Sequence, residues 1–430
     1  MVRHAQESDV GWESDPGTST LTGMAGLRRE FPLIAVHDYS GHPFQVQLSR
    51  ELARRGYRVT HYHCPSFSTP KGKLERDAHD PDTFRVEPVK LRRPFAKYSG
   101  ARRFFQEIEY GWRLGTRLRR QRPELVLSSN TPLLAAAVLQ AVLLASRIPV
   151  VFWQQDVYSV AMANHARSRL PRLGGVVAAV FMAVEKLLLR TSRRVVTISA
   201  DFSGTLDEWG IAPDRVDVVE NWAPLDELPV RPHRNAWSHR HGLDDKKVLL
   251  YSGTLGLKHD PSLLLALAED LEGRGDVRVA VASEGRGADW LAEHGAHLSS
   301  LLLLGFQPYE DLPDMMASAD VLVALLEPDA SCFSVPSKVL TYHCAGRALL
   351  AALPAENLAA RIIEHEHSGI VVSPADHDAM VAAGRKLIDD EDLCRSMGEM
   401  ARNYAVRTFD INTIGDRFET IIEQVCGSAR

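Results

Sequence analysis

Short apolar runs alternate with segments of helical periodicity along most of this chain. The first series of runs predicts strands at 33–36, 56–62, 125–127, 149–153, 195–198 and 216–219. A second series predicts strands at 248–251, 277–281, 301–304, 321–324, 348–351 and 370–372. Strand–helix alternation of this kind is typical of a parallel sheet with helices on both faces. The pattern therefore predicts an α/β protein with two doubly wound lobes that face each other across a cleft.

The segment between the two series marks a domain boundary. Residues 226–246 are rich in arginine, histidine and aspartate, and they are predicted to connect a first domain over 32–225 with a second domain over 247–406. Residues 1–31 are polar and rich in glycine and serine, without an apolar signal segment, and predict a disordered leader. A last helix over 407–430 is expected to return to the first domain. Ligands of such sheets bind beyond the carboxyl ends of the strands, so the site is expected in the cleft.

Composition narrows the class of protein only slightly. The 430 residues are 45% apolar and 24% charged, with a net charge of −5, which gives no general signature of nucleic-acid binding. The five cysteines (64, 332, 344, 394 and 426) form no CxxC pair, which favours a reducing compartment over a disulfide framework or a zinc site. The apolar run 132–146 is shorter than the roughly 20 residues that span a bilayer, so it predicts a buried helix.

Two loops after predicted strands combine small residues with a lysine. The first, 336–346, places Ser337 and Lys338 at the start of a helical segment, and the second, 251–258, ends on Lys258. A helix N-terminus presents unpaired backbone amides and the positive end of the helix dipole, which favours an anion. Two such units predict a diphosphate site, and hence a nucleotide-linked substrate.

These motifs resemble those of the family 4 glycosyltransferases, which have the GT-B fold of two Rossmann-like domains. The matching stretches of the second lobe are Tyr251-Ser252-Gly253 with Lys258, Gly285, Leu304-Gly305-Phe306, Leu312-Pro313, Ala319-Asp320-Val321, and Val335-Pro336-Ser337-Lys338 with Ala345-Gly346. In the first lobe, Asp156, Ile198-Ser199 and Val219-Glu220-Asn221-Trp222 are similar to the bacterial exopolysaccharide and O-antigen subgroup. The likeness implies a retaining sugar transfer from a nucleoside diphosphate donor, without a metal or another cofactor. The second lobe would bind the nucleotide and the first lobe the acceptor.

The resemblance also implies roles for residues of the second lobe. Lys258 and Lys338 would stabilise the charge that develops on the leaving diphosphate, although either could be an ordinary surface lysine. The donor would be bound by Gly253, Thr254, Gly285, Phe306, Ser337, Val339 and Thr341. Val339 would contribute its backbone amide, and Phe306 would lie along the base or, equally, in the core.

Three positions depart from the family pattern. Thr254 replaces an arginine of many relatives and offers one neutral hydrogen bond in its place. Phe333 and Thr341 replace a common pair of glutamates; Thr341 could still bind ribose hydroxyls, whereas Phe333 cannot accept a hydrogen bond. Glu327 or Asp329 is a candidate for contacting the donor sugar, although loop carboxylates are usually only solvated.

The first lobe offers fewer candidates. Gly41 and His42 follow the first strand and are expected on the acceptor side, although an ordinary turn would look the same. Gln155 stands where relatives often have a histidine that contacts the donor sugar, and its amide can form hydrogen bonds but cannot accept a proton. The resemblance alone assigns Asp156 to the catalytic group. The sequence indicates neither a metal site nor a Ser-His-Asp set.

Residues 85–122 combine twelve Lys or Arg residues and three acidic residues with interspersed aromatic residues. No recognition motif supports a nucleic-acid partner. A surface that attracts anionic lipid fits a lipid-linked acceptor better. A solvated helix face is the alternative.

We therefore expect a cytoplasmic glycosyltransferase, attracted to the inner face of the plasma membrane, that acts in cell-surface polysaccharide synthesis. It would transfer a hexosyl or deoxyamino sugar from a UDP-sugar, or a GDP-sugar, to a lipid-linked or oligosaccharide acceptor. Two alternatives stay open. A nucleotide-sugar 2-epimerase would share the fold and need no acceptor, and a partner subunit would bind the nucleotide sugar without catalysis.

Overall fold

The computed structural model describes residues 32–66, 72–93, 100–159, 174–256, 259–327 and 336–427. These ranges contain two sheets whose neighbouring strands all pair in parallel. The seven strands of the first lobe are β1 (Leu33–Asp38), β2 (Arg58–His63), β3 (Phe84–Pro88), β4 (Leu125–Ser129), β5 (Val150–Gln154), β6 (Arg194–Thr197) and β7 (Val216–Val218), in the order β3-β2-β1-β4-β5-β6-β7. The six strands of the second lobe are β8 (Lys247–Ser252), β9 (Val277–Ala282), β10 (Leu301–Leu304), β11 (Val321–Leu325), β12 (Ala348–Ala352) and β13 (Gly369–Val372), in the order β10-β9-β8-β11-β12-β13.

Helices connect these strands and continue after the last one. Those of the first lobe are α1 (Pro43–Arg54), α2 (Gly100–Gln121), α3 (Leu133–Ala145), α4 (Gly174–Thr191) and α5 (Ser203–Glu208). Then follow α6 (Ala236–Arg240), α7 (Ser262–Asp270), α8 (Arg286–Gly295), α9 (Leu312–Ala317), α10 (Ser337–Ala345), α11 (Leu358–His365), α12 (His377–Asp389), α13 (Glu391–Thr408) and α14 (Ile411–Gly427). The predicted class, two doubly wound α/β lobes, is confirmed.

Helices cover both faces of each sheet, so the central strands are buried on both sides, and successive side chains of a strand pack against opposite layers. In β1, Ile34 and Val36 pack with residues of α1 and α14, whereas Ala35 packs with residues of α2 and α3. In β8, Leu249 packs toward α7 and α12, and Leu250 packs toward α9, α10 and α11. This double burial explains why the strands read as continuous apolar runs.

Helix α14 joins the first lobe, although the chain reaches it from the second. The Phe418 ring lies 4.7 Å from the Trp153 ring, measured between centroids, and the Arg55 guanidinium pairs with Asp416 at 2.6 Å and Glu419 at 2.9 Å. The hydrophobic core around α1 and α14 also includes Leu340 of the second lobe. The two lobes therefore share part of one core.

Strand β3 was absent from the sequence prediction. It overlaps the start of the basic segment 85–122, and within the described ranges its one neighbour is β2, which places β3 at the edge of the sheet. Arg85 and Glu87 alternate with Phe84 and Val86, so the apolar face is short and interrupted by charge. Edge strands are often protected by charged side chains, and this protection conceals the hydrophobic pattern.

The apolar run at 132–146 forms helix α3, which lies between α2 and α4. Within the ranges that the structure describes, no helix combines the length and hydrophobicity needed to cross a bilayer.

Candidate functional site

The carboxyl ends of the first-lobe strands face helices of the second lobe. Asp201, which follows β6, forms an ion pair of 2.5 Å with Arg361 of α11. Asn221, which follows β7, lines the same small cavity as Leu340 of α10 and Tyr404 of α13. Helix α10 therefore lies along the boundary between the lobes, as expected for an element that contacts a ligand in the cleft.

The first turn of α10 has backbone amides that its own helix does not use. Its N-cap, Pro336, provides no side-chain cap. The amide of Val339, which is predicted to bind the donor, donates to the Pro336 carbonyl at 3.0 Å. The amides of Ser337 and Lys338 precede it in the turn, where helix amides have no partner within the helix. These two are the better candidates for an anion.

The Lys338 amine lies at the carboxyl end of β8, in contact with an aromatic ring. Its Nζ is 3.7 Å from the centroid of Tyr251, and a methyl group built on Gly253 would be 3.6 Å from the same Nζ. The Nζ is buried and has no hydrogen-bond partner among the described residues. Burial lowers the pKa of Lys338 to about 7. A buried amine without an acceptor is costly, so this position suits a group that an anionic ligand completes.

The loop after β8 is held against the turn that precedes α8. Gly253 and Gly285 have φ angles of +110° and +115°, a region that side-chain-bearing residues rarely adopt. A Cβ on Gly285 would approach the Leu255 carbonyl to 3.1 Å. The Leu255 amide in turn donates to Ser283 Oγ at 3.0 Å. The loop that contains Gly253 is therefore in contact with the turn that contains Gly285.

Tyr342 fixes α10 to the sheet. Its hydroxyl accepts from the Ser252 amide at 3.2 Å and donates to the Val323 carbonyl at 3.2 Å. On another side of α10, Thr341 Oγ1 lies 3.5 Å from the Ser337 carbonyl, one turn earlier. Ser337 and Thr341 are therefore neighbours on one helix face, as binding of a single nucleotide would require.

The remaining candidates of the second lobe are less well defined. Thr254 is exposed, and the Phe306 side chain is 49% exposed, so Phe306 is not a core residue. Lys258, which is predicted to contact the diphosphate, lies outside the described residues, as do Asp329 and Phe333.

In the first lobe, a buried carboxylate organises the loop after β1. Asp38 is fully buried and accepts hydrogen bonds from the Ser40 amide at 3.0 Å, from the His42 amide and from Asn130 Nδ2 at 3.3 Å. His42 Nδ1 lies 3.2 Å from the same carboxylate, and 28% of the His42 side chain is exposed. Gly41 makes the turn between them with φ +77°.

Burial and pairing act in opposite directions on this pair. Burial alone would raise the pKa of Asp38, but the charge and hydrogen bonds of His42 bring it below its ordinary value. Burial would lower the pKa of His42, but Asp38 raises it above the ordinary value. The pair therefore presents an oriented imidazole at the carboxyl edge of the sheet.

Gln155 and Asn221 form a second polar pair at this edge. Asn221 Nδ2 donates to Gln155 Oε1 at 2.6 Å. Gln155 Nε2 and Asn221 Oδ1 are buried without a hydrogen-bond partner among the described residues. A ligand hydroxyl can accept from one and donate to the other.

Asp156 is half-buried in the loop that follows β5. Two residues further on, the amides of Tyr158 and Ser159 donate to the buried carboxylate of Glu185 at 3.1 Å and 2.8 Å. Burial raises the pKa of Glu185 above its ordinary value. These bonds tie the loop that carries Asp156 to α4.

The sequence places Asp38 in the loop of Gly41 and His42 but does not indicate its hydrogen bonds, and it indicates neither Asn130 nor the contact of Tyr251 with Lys338. Asp38 and Asn130 are polar residues at the carboxyl ends of the neighbouring strands β1 and β4. Polar residues at that position are typical of a ligand site, and this is the feature of the sequence that could have indicated them. Tyr251 was part of a motif, but its contact with Lys338 joins two distant segments and leaves no local pattern.

Comparison with known proteins agrees with this geometry. The model of the glycosyl transferase 4-like domain matches residues 42–222, and the model of glycosyl transferases group 1 matches residues 233–404. Among solved structures, HepE of Anabaena in complex with UDP-glucose superposes with a TM-score of 0.67 and 16% identity, covering 91% of this chain and 100% of that one. Sucrose-phosphate synthase of Thermosynechococcus elongatus gives a TM-score of 0.69 and 14% identity, covering 92% and 100%.

Curated relatives are similar in sequence as well. WcaI of Escherichia coli, assigned to colanic acid biosynthesis as a glycosyl transferase, is 24% identical over 70% of this chain and 74% of its own length. The alpha-D-kanosaminyltransferase of Streptomyces kanamyceticus is 25% identical over 43% of this chain and 48% of its own length. With both lobes matched by their family models and both sheets present, this chain belongs to the GT-B glycosyltransferases, with a family 4-like first lobe and a group 1 second lobe.

Proposed function

We propose that this glycosyltransferase is a retaining, metal-independent enzyme of cell-surface glycan synthesis. Its donor would be a UDP-sugar, with a GDP-sugar as the second choice, and its acceptor a lipid-linked or polysaccharide chain. The observation that supports the donor site most directly is the unpaired Lys338 amine beside Gly253, next to the open N-terminus of α10. A diphosphate would satisfy the amine and the amides at once.

The chemistry of transfer explains why a cation is needed there. As the bond from the anomeric carbon to phosphate oxygen breaks, negative charge accumulates on the diphosphate. Lys338 and the amides of Ser337 and Lys338 are fixed in place before that charge appears, and such preorganised groups favour the transition state over the ground state. We assign to Lys258 a second contact with the phosphates, and this charge would serve in place of a metal ion.

The donor proposal also has support from structural neighbours. HepE of Anabaena was solved with UDP, with UDP and glucose, and with UDP-glucose.

For the acceptor side we propose His42, Gly41 and the Gln155–Asn221 pair, which lie at the sheet edge opposite α10. Asp156 would act from the same edge.

A transfer assay with a panel of UDP- and GDP-sugars tests the donor site. We expect Lys338→Ala and Lys258→Ala each to lower the transfer rate about 100-fold or more, because each removes a cation at the developing charge. Lys386→Ala, an exposed lysine of α12, is the matched control and should leave the rate unchanged. Full activity of both site variants would remove these lysines from the mechanism.

Two further measurements on the wild-type protein distinguish a glycosyltransferase from an epimerase and from a non-catalytic binding subunit. Donor incubated alone should stay unchanged, since an isomerised donor would indicate an epimerase. Nucleotide binding without transfer to any glycan acceptor would indicate a binding subunit. Product analysis by NMR should show the anomeric configuration of the donor, and an inverted product would exclude the retaining mechanism.

We further propose that the enzyme meets its lipid-linked acceptor at an anionic membrane through the exposed face of α2. Phe104, Phe105 and Trp112 are 45%, 70% and 59% exposed. Beside them, Lys90, Arg113, Arg117 and Arg120 line a groove of about 510 Å³ between β3 and α2. Exposed aromatic rings next to basic residues are the combination that binds the interface of an anionic bilayer.

Co-sedimentation with vesicles tests this surface. The protein should bind vesicles of phosphatidylglycerol more strongly than vesicles of phosphatidylcholine, and salt should weaken the binding. The double variant Phe105→Ser, Trp112→Ser should bind about tenfold less, because two interfacial rings are lost. Val406→Ser on α13, where Val406 is 52% exposed, is the control for loss of an exposed apolar side chain. Equal binding by both variants would contradict the assignment of α2.

A further inference from the structure

The contact between Lys338 and Tyr251 is unusual for a lysine inside a protein. The amine lies 3.7 Å above the ring of Tyr251, which is itself fully buried, and no hydrogen-bond acceptor among the described residues reaches it. Buried lysines normally pair with a carboxylate or lose their proton. Here the ring face takes the position that a carboxylate would occupy, and a ring face attracts the ammonium without neutralising it.

Other contacts hold the ring in place. The Tyr251 hydroxyl donates to the Thr254 carbonyl at 3.0 Å, which ties the ring to the loop after β8. Gly253 has no side chain, and a Cβ built there would lie 3.6 Å from the Lys338 Nζ, so any other residue at this position would occupy the space beside the amine. Helix α10 is fixed from the other side through Tyr342 and the backbone of Ser252.

We propose that Tyr251 is a positioning residue that seats the Lys338 amine for the donor diphosphate, and that donor binding is coupled to the uptake of one proton by this amine. The inference rests on the proposed function, because the diphosphate supplies the anion. The ring keeps the amine in place while it is unpaired, and the arriving phosphates then stabilise its charged form.

The surroundings of the amine leave this proton free to exchange in the neutral range. Burial lowers the pKa of Lys338 to about 7, and no described ionisable group offsets this effect. Burial also raises the pKa values of Tyr251 and Tyr342 far above neutrality, so neither ring competes for the proton. Among the described residues, the titratable group that faces the amine is Tyr251 of β8, and the neighbours of Tyr251 are Tyr342 of α10 and His259, whose ring lies 6.4 Å from that of Tyr251.

Linkage gives the sign of the pH dependence. Below the pKa of the free protein the amine is already charged, so binding takes up no proton at this site. Above that pKa each bound diphosphate must bring one proton with it, so the dissociation constant should rise by up to about tenfold per pH unit. Phosphate monoesters titrate near pH 6, so measurements above about pH 7.5 avoid protonation of the nucleotide itself.

Titration calorimetry with UDP at about pH 8, in two buffers of different ionisation enthalpy, tests the coupling. The wild-type protein should take up close to one proton per UDP bound. Lys338→Arg should take up none, because arginine stays charged at this pH. Lys338→Met, which leaves Tyr251 in place, should bind UDP weakly and without pH dependence.

The role of Tyr251 needs its own comparison. Tyr251→Phe keeps the ring face and should retain the wild-type pH profile of UDP affinity. Tyr251→Leu removes the ring face that stabilises the charged amine. The loss of UDP affinity should therefore begin about one pH unit lower than in the wild-type protein. A wild-type profile for Tyr251→Leu would overturn the positioning role. The Lys338 variants decide the coupling even if Tyr251→Leu does not fold.

The possible failures are distinguishable. UDP binding without proton uptake by the wild-type protein would overturn the coupling and leave the glycosyltransferase function intact. An absence of binding for both UDP and GDP at every pH between about 6 and 9 would overturn the inference together with the proposed donor.

Discussion

At the scale of single residues, two charged groups serve the site in opposite ways. The Lys338 amine has no hydrogen-bond partner among the described residues, whereas Asp38 accepts several hydrogen bonds from its own loop and from Asn130. An unpaired cation stores affinity for an anion at the expense of stability. A fully bonded carboxylate fixes the geometry of its loop and contributes to stability instead.

The Asp38–His42 pair should give a measurable pH dependence of stability. The depressed pKa of Asp38 stabilises the fold above the unfolded value of about 3.9, and this contribution is lost as pH falls through the folded pKa. The raised pKa of His42 stabilises the fold below about 6.5, and this contribution is lost as pH rises through its folded pKa. Both contributions are therefore present together between about pH 4 and 6.5.

We accordingly expect Asp38→Asn to lower the free energy of unfolding by about 3 kcal/mol near pH 5.5, and by less near pH 9. Urea unfolding followed by circular dichroism at both pH values measures the difference. Asp207→Asn, an exposed residue of α5, is the control and should change the free energy by less than about 0.5 kcal/mol. An equal loss at both pH values would mean that the ion pair contributes nothing beyond shape.

Among the secondary-structure elements, α14 follows the second lobe in the chain but packs against the sheet of the first lobe. Phe418 packs against Trp153 and Trp222 at centroid distances of 4.7 Å and 6.4 Å, and it is fully buried. These rings complete the face of the seven-stranded sheet that α1 covers only in part. The last helix is thus a structural member of the first lobe.

Phe418→Ala should destabilise the protein by about 3–5 kcal/mol, the usual cost of removing a buried aromatic ring. Thermal or urea unfolding measures this loss. Thr420→Ala, on the exposed side of the same helix, should cost less than about 0.5 kcal/mol. Similar small effects for both variants would show that α14 is not essential to the core of the first lobe.

The sequence predicted most of these elements because buried parallel strands are continuous apolar runs. Strand β3 was the exception, since Arg85 and Glu87 interrupt its apolar face at the sheet edge. The site was harder to predict. The sequence singles out Lys338 and Ser337 because a helix start leaves a local signal, whereas the Tyr251 ring beside Lys338 and the partners of Asp38 come together only through the fold. Polar residues at strand ends mark where a site lies, but pattern alone does not say which of them meet.

At the scale of the whole molecule, the two lobes are linked by more than a connecting segment. The described residues from Pro32 onward form one compact unit. Leu340 and Tyr404 of the second lobe belong to the same hydrophobic core as Trp222 of the first, and Arg402 donates to the Leu228 carbonyl at 2.9 Å. Loss of either lobe would expose apolar surface of the other.

Calorimetry should therefore show one unfolding transition and not two. Saturating UDP should move the whole transition upward by a few degrees, because ligand at about 100 times its dissociation constant adds about 2.7 kcal/mol. UDP is the probe, and uridine, which lacks phosphates, is the matched control that should shift the transition much less. A separate early transition that UDP does not move would show that the first lobe unfolds alone.

The chain passes between the lobes twice, once after Trp222 and once between Thr408 and Ile411. Trp222 and Phe409 both belong to the hydrophobic core that the two lobes share. A single connection would allow the lobes to twist and slide relative to each other, whereas two connections restrict both motions. We therefore expect the lobes to open and close by rotation about these connections, which would move the Asp38 loop relative to α10 and leave both sheets intact.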